Sequence, residues 1–470
     1  MPNHLLRHFN LLGILIYGIA LVTVSILFSE YALQGSWVAW GATTIALFFG
    51  MTYGCYRYWS RIGRKDFIKR LFWTALCLRA LYVVGVYYYY MKETGIGMEY
   101  AAADSLGYHT SAQYLSQLAR EGYLKAIFQQ LNAHTSGFSD QGYVLYLTGL
   151  YTLFGSNTIG PRLLKALMSA YMCVSVYQIT SRSLDERTAR LAAIMALFMP
   201  QFIHYNGTYL KETEMLFLAT LALERFDRLI RSSDHRTLNI ILCVLFTLLS
   251  FGFRTAVGMI LIGSYIVMVL FSEKEQFAPK KKVITLATVA LSIVALMMTP
   301  IGKEILFMFK VNFTESDYMV VKYNHYGMKY ADYASYKTMA PGVFVLPLTN
   351  MVEVANGNQK MMNGTYFVKN YLAFFAMWCF VAAIREKKAR SFRLIGSYTL
   401  VYLLMIAFSF AVNSERYHLP ALPGIIIMAA FAMTHFRKKD FPFYYVYCAL
   451  LLVAIVAWNY LKLAGRGLIF

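Results

Sequence analysis

The chain has 470 residues, 58% of them hydrophobic and only 14% charged, with a formal net charge of +20. So much apolar surface excludes a water-soluble domain and leaves the bilayer as the solvent. The lysines and arginines fall in short runs between apolar stretches, so they read as orientation signals and contacts to anionic lipid head groups, not as a nucleic-acid surface.

Apolar stretches of about 20 residues, enough to cross about 30 Å of hydrocarbon, recur along the chain. Backbone groups in lipid must bond within their own segment, so these stretches are expected to be helices. The pattern predicts an all-α integral membrane protein with about 13 transmembrane helices. They fall near 11–29, 37–56, 71–91, 159–181, 187–203, 213–229, 237–253, 256–272, 283–300, 367–384, 393–411, 419–436 and 442–462. The first of them lacks a small-residue cleavage site and reads as retained.

Basic clusters at Arg57 to Arg70, Arg182 to Arg190, Arg225 to Arg236, Lys274 to Lys282, Arg385 to Arg393 and Arg437 to Lys439 are separated by two spans each. That alternation predicts cytoplasmic loops at these places and outward loops elsewhere. The organisation expected is an N-terminal two-helix hairpin with a basic loop (1–70) and a transmembrane core (71–300) whose first external loop is 92–158. An external cap or lid (301–366) and C-terminal helices (367–470) follow. Tyr114, Leu115 and Leu118, then Ala126, Ile127 and Leu131, recur at helical spacing in the first external loop. Residues 142–154 are apolar but short, which suits an interfacial helix.

Six cysteines (Cys55, Cys77, Cys173, Cys243, Cys379, Cys448) lie in or beside apolar stretches without metal-ligand spacing, so they read as packing residues. The acids are more informative. Asp104 opens Asp-Ser-Leu-Gly-Tyr-His-Thr-Ser-Ala-Gln after the third span, where it can cap a helix or act as a general base. Glu212 and Glu214 begin the sixth span, where acids suit a helix N-terminus. Acids are costly near hydrocarbon, and Lys211 is the local candidate partner. If Asp104 and Glu212 converge, they can share a proton or hold a hard divalent cation such as magnesium or manganese.

Arg254 sits where two spans join with almost no loop, and can snorkel outward or bind a phosphate with its planar fork. Arg416, in Glu415-Arg-Tyr-His-Leu-Pro-Ala-Leu-Pro423, can bind phosphate or pair with Glu415. Arg162 and Lys165 are further cations at an outer helix end, and Arg79 is the main charge deeper in a span. His109, His204 and His418 lie on the same side with no HxxxH spacing, which argues against zinc. Sequons occur at Asn206, Asn312 and Asn363.

An acid in the first external loop, then Gly155-x-Asn157 and Pro161-Arg162 opening a span, resembles GT-C-type polytopic glycosyltransferases. So do Pro200 before a short loop with Glu212 and the closing Glu-Arg-Tyr-His-Leu-Pro-Ala-Leu-Pro; the nearest likeness is to protein O-mannosyltransferases and the lipid A aminoarabinose transferase. The resemblance covers about residues 71–436 and implies a GT-C-like bundle with extracytoplasmic juxtamembrane helices. It also implies inverting transfer of a sugar from a polyprenyl-phosphate carrier to a glycan, lipid or protein acceptor, in a bacterial inner membrane. By likeness Asp104 and Glu212 are the catalytic acids and tentative metal contacts, and Arg254, Arg416, Arg162 and Lys211 bind the lipid phosphate. Tyr108, His109, Tyr417 and His418 line the substrate site. Ser105 stands where many members carry a second acid, two extra spans precede the core, and the external part after residue 301 is small. The alternatives are a lipid-linked saccharide transporter or flippase, and a glycan polymerase or ligase using a diphosphate-linked donor. Charges at helix ends instead of the midplane favour the enzyme.

Overall fold

Proline decides where several of the apolar runs stop being helix. The computed structural model describes residues 3–135, 137–232, 235–272, 279–313, 340–354, 357–407 and 414–469. Among these the regular structure is helical, with one isolated bridge between Ala32 and Val352. In chain order the helices are α1 (Asn3–Leu27), α2 (Gly35–Trp59), α3 (Arg64–Thr94), α4 (Ala103–Arg120), α5 (Leu124–Leu131), α6 (Phe138–Phe154) and α7 (Ile159–Ser183). Then come α8 (Glu186–Phe198), α9 (Pro200–Gly207), α10 (Glu212–Arg231), α11 (Arg236–Phe253), α12 (Thr255–Leu270), α13 (Pro279–Met297) and α14 (Pro300–Phe313). The last are α15 (Gly357–Met361), α16 (Asn363–Arg385), α17 (Arg393–Ala407), α18 (Glu415–Thr434) and α19 (Lys438–Ala464).

Eight of these helices are long and apolar enough to cross a membrane, or nine if the bent pair Lys282–Met297 and Pro300–Phe307 is one span. The chain is an integral membrane protein. Its helices are not all of the uniform kind that a count of about 13 spans supposes. The stretch 187–203 divides at Met199, which is extended (φ −60°, ψ 116°) because Pro200 follows it. The stretch 283–300 bends by 86° before Pro300. Helix α12 has 16 residues and α17 has 15, and α10 carries Glu212, Glu214, Glu224, Arg225, Asp227, Arg228 and Arg231.

Burial explains why such helices are tolerated. The apolar window of α18 is 89% buried, against 22% for α19 and 28% for α2 and α3, so α18 is central and the others form the rim. Helix α8 is buried along nearly its whole length, between α7 and α18. A helix screened by its neighbours is solvated by protein and need be neither long nor uniformly apolar. Helix α10 packs on α7 and α11 and presents its charges to partners at both ends.

Residues 92–158, expected as the first external loop, form α4, α5 and α6, with α6 packed along α11. Gly142 and Gly252 make that approach possible, since a Cβ on Gly142 would sit 2.7 Å from the Gly252 carbonyl. Within the expected cap, residues 314–339 lie outside the described residues. The stretch 340–354 is pinned to the bundle: Thr349 Oγ1 donates to Asn370 Oδ1 at 2.7 Å, Met351 N–H to Asn459 Oδ1 at 2.8 Å and Glu353 N–H to Tyr31 O at 2.8 Å.

Candidate functional site

Four charged side chains are delivered to one place by helix starts and one helix joint. Asp104 lies in the first turn of α4, Glu212 is the first residue of α10, and Arg416 lies in the first turn of α18. Arg254 is the sole residue between α11 and α12. Its extended backbone (φ −162°, ψ 107°) turns the chain, while its N–H still closes α11 on Ser250 O at 2.8 Å.

Arg416 is the hub. Its Nη1 donates to Asp104 Oδ2 and its Nε to Glu212 Oε1. Arg254 Nη2 reaches the same Glu212 oxygen at 3.4 Å, and its guanidinium lies 4.6 Å from the centroid of the Tyr417 ring. Glu212 is fully buried, whereas the Asp104 side chain is 56% exposed. The cluster is therefore graded from a buried carboxylate, through two partly covered guanidinium groups, to an accessible carboxylate. The two cations and two carboxylates balance, with Arg416 held between a buried and an accessible acid, and planar guanidinium forks suit phosphate oxygens.

Beside it lies a second pair. Lys211 pairs with Asp140, which also accepts the Tyr108 hydroxyl at 2.8 Å. Burial pushes the Lys211 ammonium down to about 8, against the opposing pull of Asp140. Burial pushes the Asp140 carboxyl up, but Lys211 and the Tyr108 hydroxyl outweigh it and hold the group below its ordinary range. Lys211 thus partners Asp140, not its sequence neighbours Glu212 and Glu214, and Arg416 ignores the adjacent Glu415. Glu415 lies 3.7 Å from Lys369 instead and accepts Gln201 Nε2 at 3.0 Å. Asp104 does not cap α4, whose cap position is Ala102. Arg254 turns to Glu212, and Arg79 is fully buried and donates to Ser169 Oγ at 2.7 Å and Ala196 O at 3.1 Å.

The remaining candidates sit apart from the hub. Arg162 is fully buried between the rings of Tyr87 and Tyr209, at 5.8 and 5.4 Å, and its guanidinium nitrogens meet no hydrogen-bond partner among the described residues. Lys165 pairs with Glu214 at 3.5 Å, both buried. His109 Nδ1 lies 2.6 Å from the Tyr151 hydroxyl, and burial together with Arg162 pushes its imidazole down. His418 is buried in the first turn of α18, and His204 Nδ1 faces the Tyr82 hydroxyl at 3.4 Å. Asn206 and Asn363 are buried, out of reach of glycosylation in the folded chain, and the Asn312 side chain lies outside the described residues. All six cysteines are free.

Asp140 and Glu99 escape the sequence reading. Glu99 is buried, accepts the Tyr209 N–H at 2.9 Å and takes the hydroxyl of Ser105. The available signal was an acid in the turn Gly95-Ile-Gly-Met-Glu-Tyr just beyond a span. A divalent cation fits this arrangement poorly. Among the described residues no three His, Cys, Asp or Glu side chains gather where a metal needs them. An ion held by Asp104 and Glu212 would have to displace Arg416 from both.

No curated protein matches the chain. The family model of the dolichyl-phosphate-mannose-protein mannosyltransferases matches residues 143–298, about a third of the chain, from α6 into α13. That stretch contains Lys211, Glu212 and Arg254, and leaves Asp104 and Arg416 on either side. Through it the chain is similar to membrane glycosyltransferases of the GT-C type.

Proposed function

We propose that this protein transfers a sugar from a polyprenyl-phosphate carrier to an acceptor hydroxyl at the extracytoplasmic face of a bacterial inner membrane, inverting the anomeric centre. The observation that carries the reading is the shared grip of Arg416 and Arg254 on buried Glu212, with accessible Asp104 on the far side of Arg416. Acceptors are of glycan, lipid or protein class.

The donor phosphate takes the outer faces of Arg416 and Arg254. It then competes with Asp104 for Arg416 and releases that carboxylate to serve as base. The acceptor oxygen attacks the anomeric carbon, its proton passes to Asp104, and the bond to the carrier oxygen breaks with its electron pair leaving on the phosphate. The two guanidinium groups meet the charge that develops there. Glu212 is a positioning residue that keeps both arginines in register, and Tyr417 seats Arg254 from below. Tyr108, joined to Lys211 through Asp140, is assigned to the sugar hydroxyls, whereas His109, His418 and Arg162 stand apart from the hub and take no step. No step runs through a metal ion.

The test is Asp104→Asn in purified protein given carrier-linked sugars. Turnover is expected to fall about 100- to 10,000-fold, the usual weight of a general base, with donor binding kept and EDTA without effect. Undiminished transfer by Asp104→Asn overturns the assignment.

A further inference from the structure

Helix α10 ends in a second charged structure that the transfer reaction does not use. From Glu212 to Arg228 is about 24 Å at the helical rise of about 1.5 Å per residue, so the two ends are separate sites. At this end a cavity of about 330 Å³ is lined by Arg64, Gln178, Arg182, Arg225, Arg228 and Asn239, among others. These residues come from α3, α7, α10 and α11.

The cations outnumber the acids. Four arginines share two buried carboxylates: Arg182 Nε lies 2.7 Å from Asp227, Arg231 Nε 2.9 Å from Asp227, Arg228 Nε 2.5 Å from Glu224 and Arg225 Nε 3.3 Å from Glu224. Arg182, Arg228 and Arg231 are hydrogen-bonded through Nε, and Arg182 also through Nη2 to Glu224 at 3.0 Å, which fixes these side chains before any ligand arrives. Secondary contacts add to this, from Arg228 Nη2 to Gln178 Oε1 at 2.9 Å and from Arg225 Nη1 to Asn239 Oδ1 at 3.2 Å. Arg64 has no carboxylate partner among the described residues; it contacts the Ser181 hydroxyl at 3.4 Å and lies 5.7 Å from the Tyr177 ring centroid.

We propose that this cavity is a separate binding site for a phosphate group, carried on an anionic lipid head group or on a soluble phosphate compound. Arginine forks held in place match phosphate oxygens, the volume is that of a small-ligand site, and a basic pocket between transmembrane helices suits an anionic head group.

Two variants probe it without breaking the ion pairs: Arg64→Gln removes an unpaired cation, and Leu238→Trp fills the cavity from a half-exposed lining position. Full-length protein is placed in nanodiscs of phosphatidylcholine with phosphatidylglycerol, and lipid retained after detergent extraction is read by native mass spectrometry. The wild type is expected to keep phosphatidylglycerol over phosphatidylcholine by about 10-fold, and Arg64→Gln to lose most of that preference, since a charge-assisted contact has about that weight. Leu238→Trp is expected to abolish it with the melting temperature unchanged. Millimolar inorganic phosphate separates the sources: retention that survives it assigns a lipid head group, whereas thermal protection by phosphate without lipid preference assigns a soluble phosphate. Equal retention of both lipids with no phosphate effect overturns the proposal, as does retention unchanged in both variants.

Discussion

The Arg254 guanidinium lies 4.6 Å from the centroid of the Tyr417 ring, so the residue that follows Arg416 seats the second arginine of the pair. What that seat provides is the aromatic face. Tyr417→Phe is therefore expected to keep the donor KM, while Tyr417→Ala raises it. A cation–π contact of roughly 0.5–2 kcal/mol corresponds to about 2- to 30-fold. Steady-state kinetics with both variants decides it, and equal KM values would remove Tyr417 from the site.

Glu212 has no exposed side-chain surface and pairs with two guanidinium groups at once. Glu212→Gln leaves Arg254 without its carboxylate and Arg416 with Asp104 alone, and breaking a buried pair costs about 3–5 kcal/mol. The melting temperature is expected to drop, and the double variant Glu212→Gln/Arg254→Gln to recover part of the loss. A melting curve for Glu212→Gln that overlays the wild type contradicts the shared anchor.

Lys211 gives a pH signature. Its folded value, pushed down to about 8 by burial, lies below the 10.5 of the ordinary amine. Between these values the unfolded chain still holds a proton that the folded chain has released, so its contribution to stability rises with pH across that window. The stability of wild type relative to Lys211→Met is expected to increase between pH 8 and pH 10.5, read by thermal melts at stepped pH. A flat or falling difference refutes the burial argument.

Gly142 touches the backbone of Gly252, and a Cβ there would lie 2.7 Å from carbonyl atoms that cannot turn aside. Gly142→Ala is expected to push α6 off α11 at a cost of about 1–3 kcal/mol, as overpacking does. Asp140 stands two residues earlier, so the Lys211 pair should loosen with it. Gly149→Ala on the same helix, where a Cβ meets nothing within 4 Å, is the control. Equal melting temperatures for the two would count against the close approach.

Asp104, Glu212, Arg254 and Arg416 stood out in the sequence because each is a charge beside apolar stretches, where an unpaired charge is costly. Their partners did not. Neighbours in sequence suggested Lys211 for Glu212 and Glu415 for Arg416, yet Lys211 turns to Asp140, 71 positions away, and Arg416 to Asp104, 312 positions away. Asp140 and Glu99 were passed over because they lie in polar connecting segments, where an acid is ordinary on the surface.

By itself the sequence determined the solvent and the helical form, whereas the spans read at 187–203 and 283–300 ran through the places where the structure breaks them. A chain this apolar must satisfy its backbone within each segment, and Pro200 and Pro300 end or bend helices because they lack an N–H and restrict the residue before them. Only the tertiary structure decided which helices sit at the rim or the centre, and which charges meet. Ion pairing depends on a few ångströms of separation in a low-dielectric interior. That separation is set by how α4, α10, α11 and α18 pack, which periodicity along one chain does not encode.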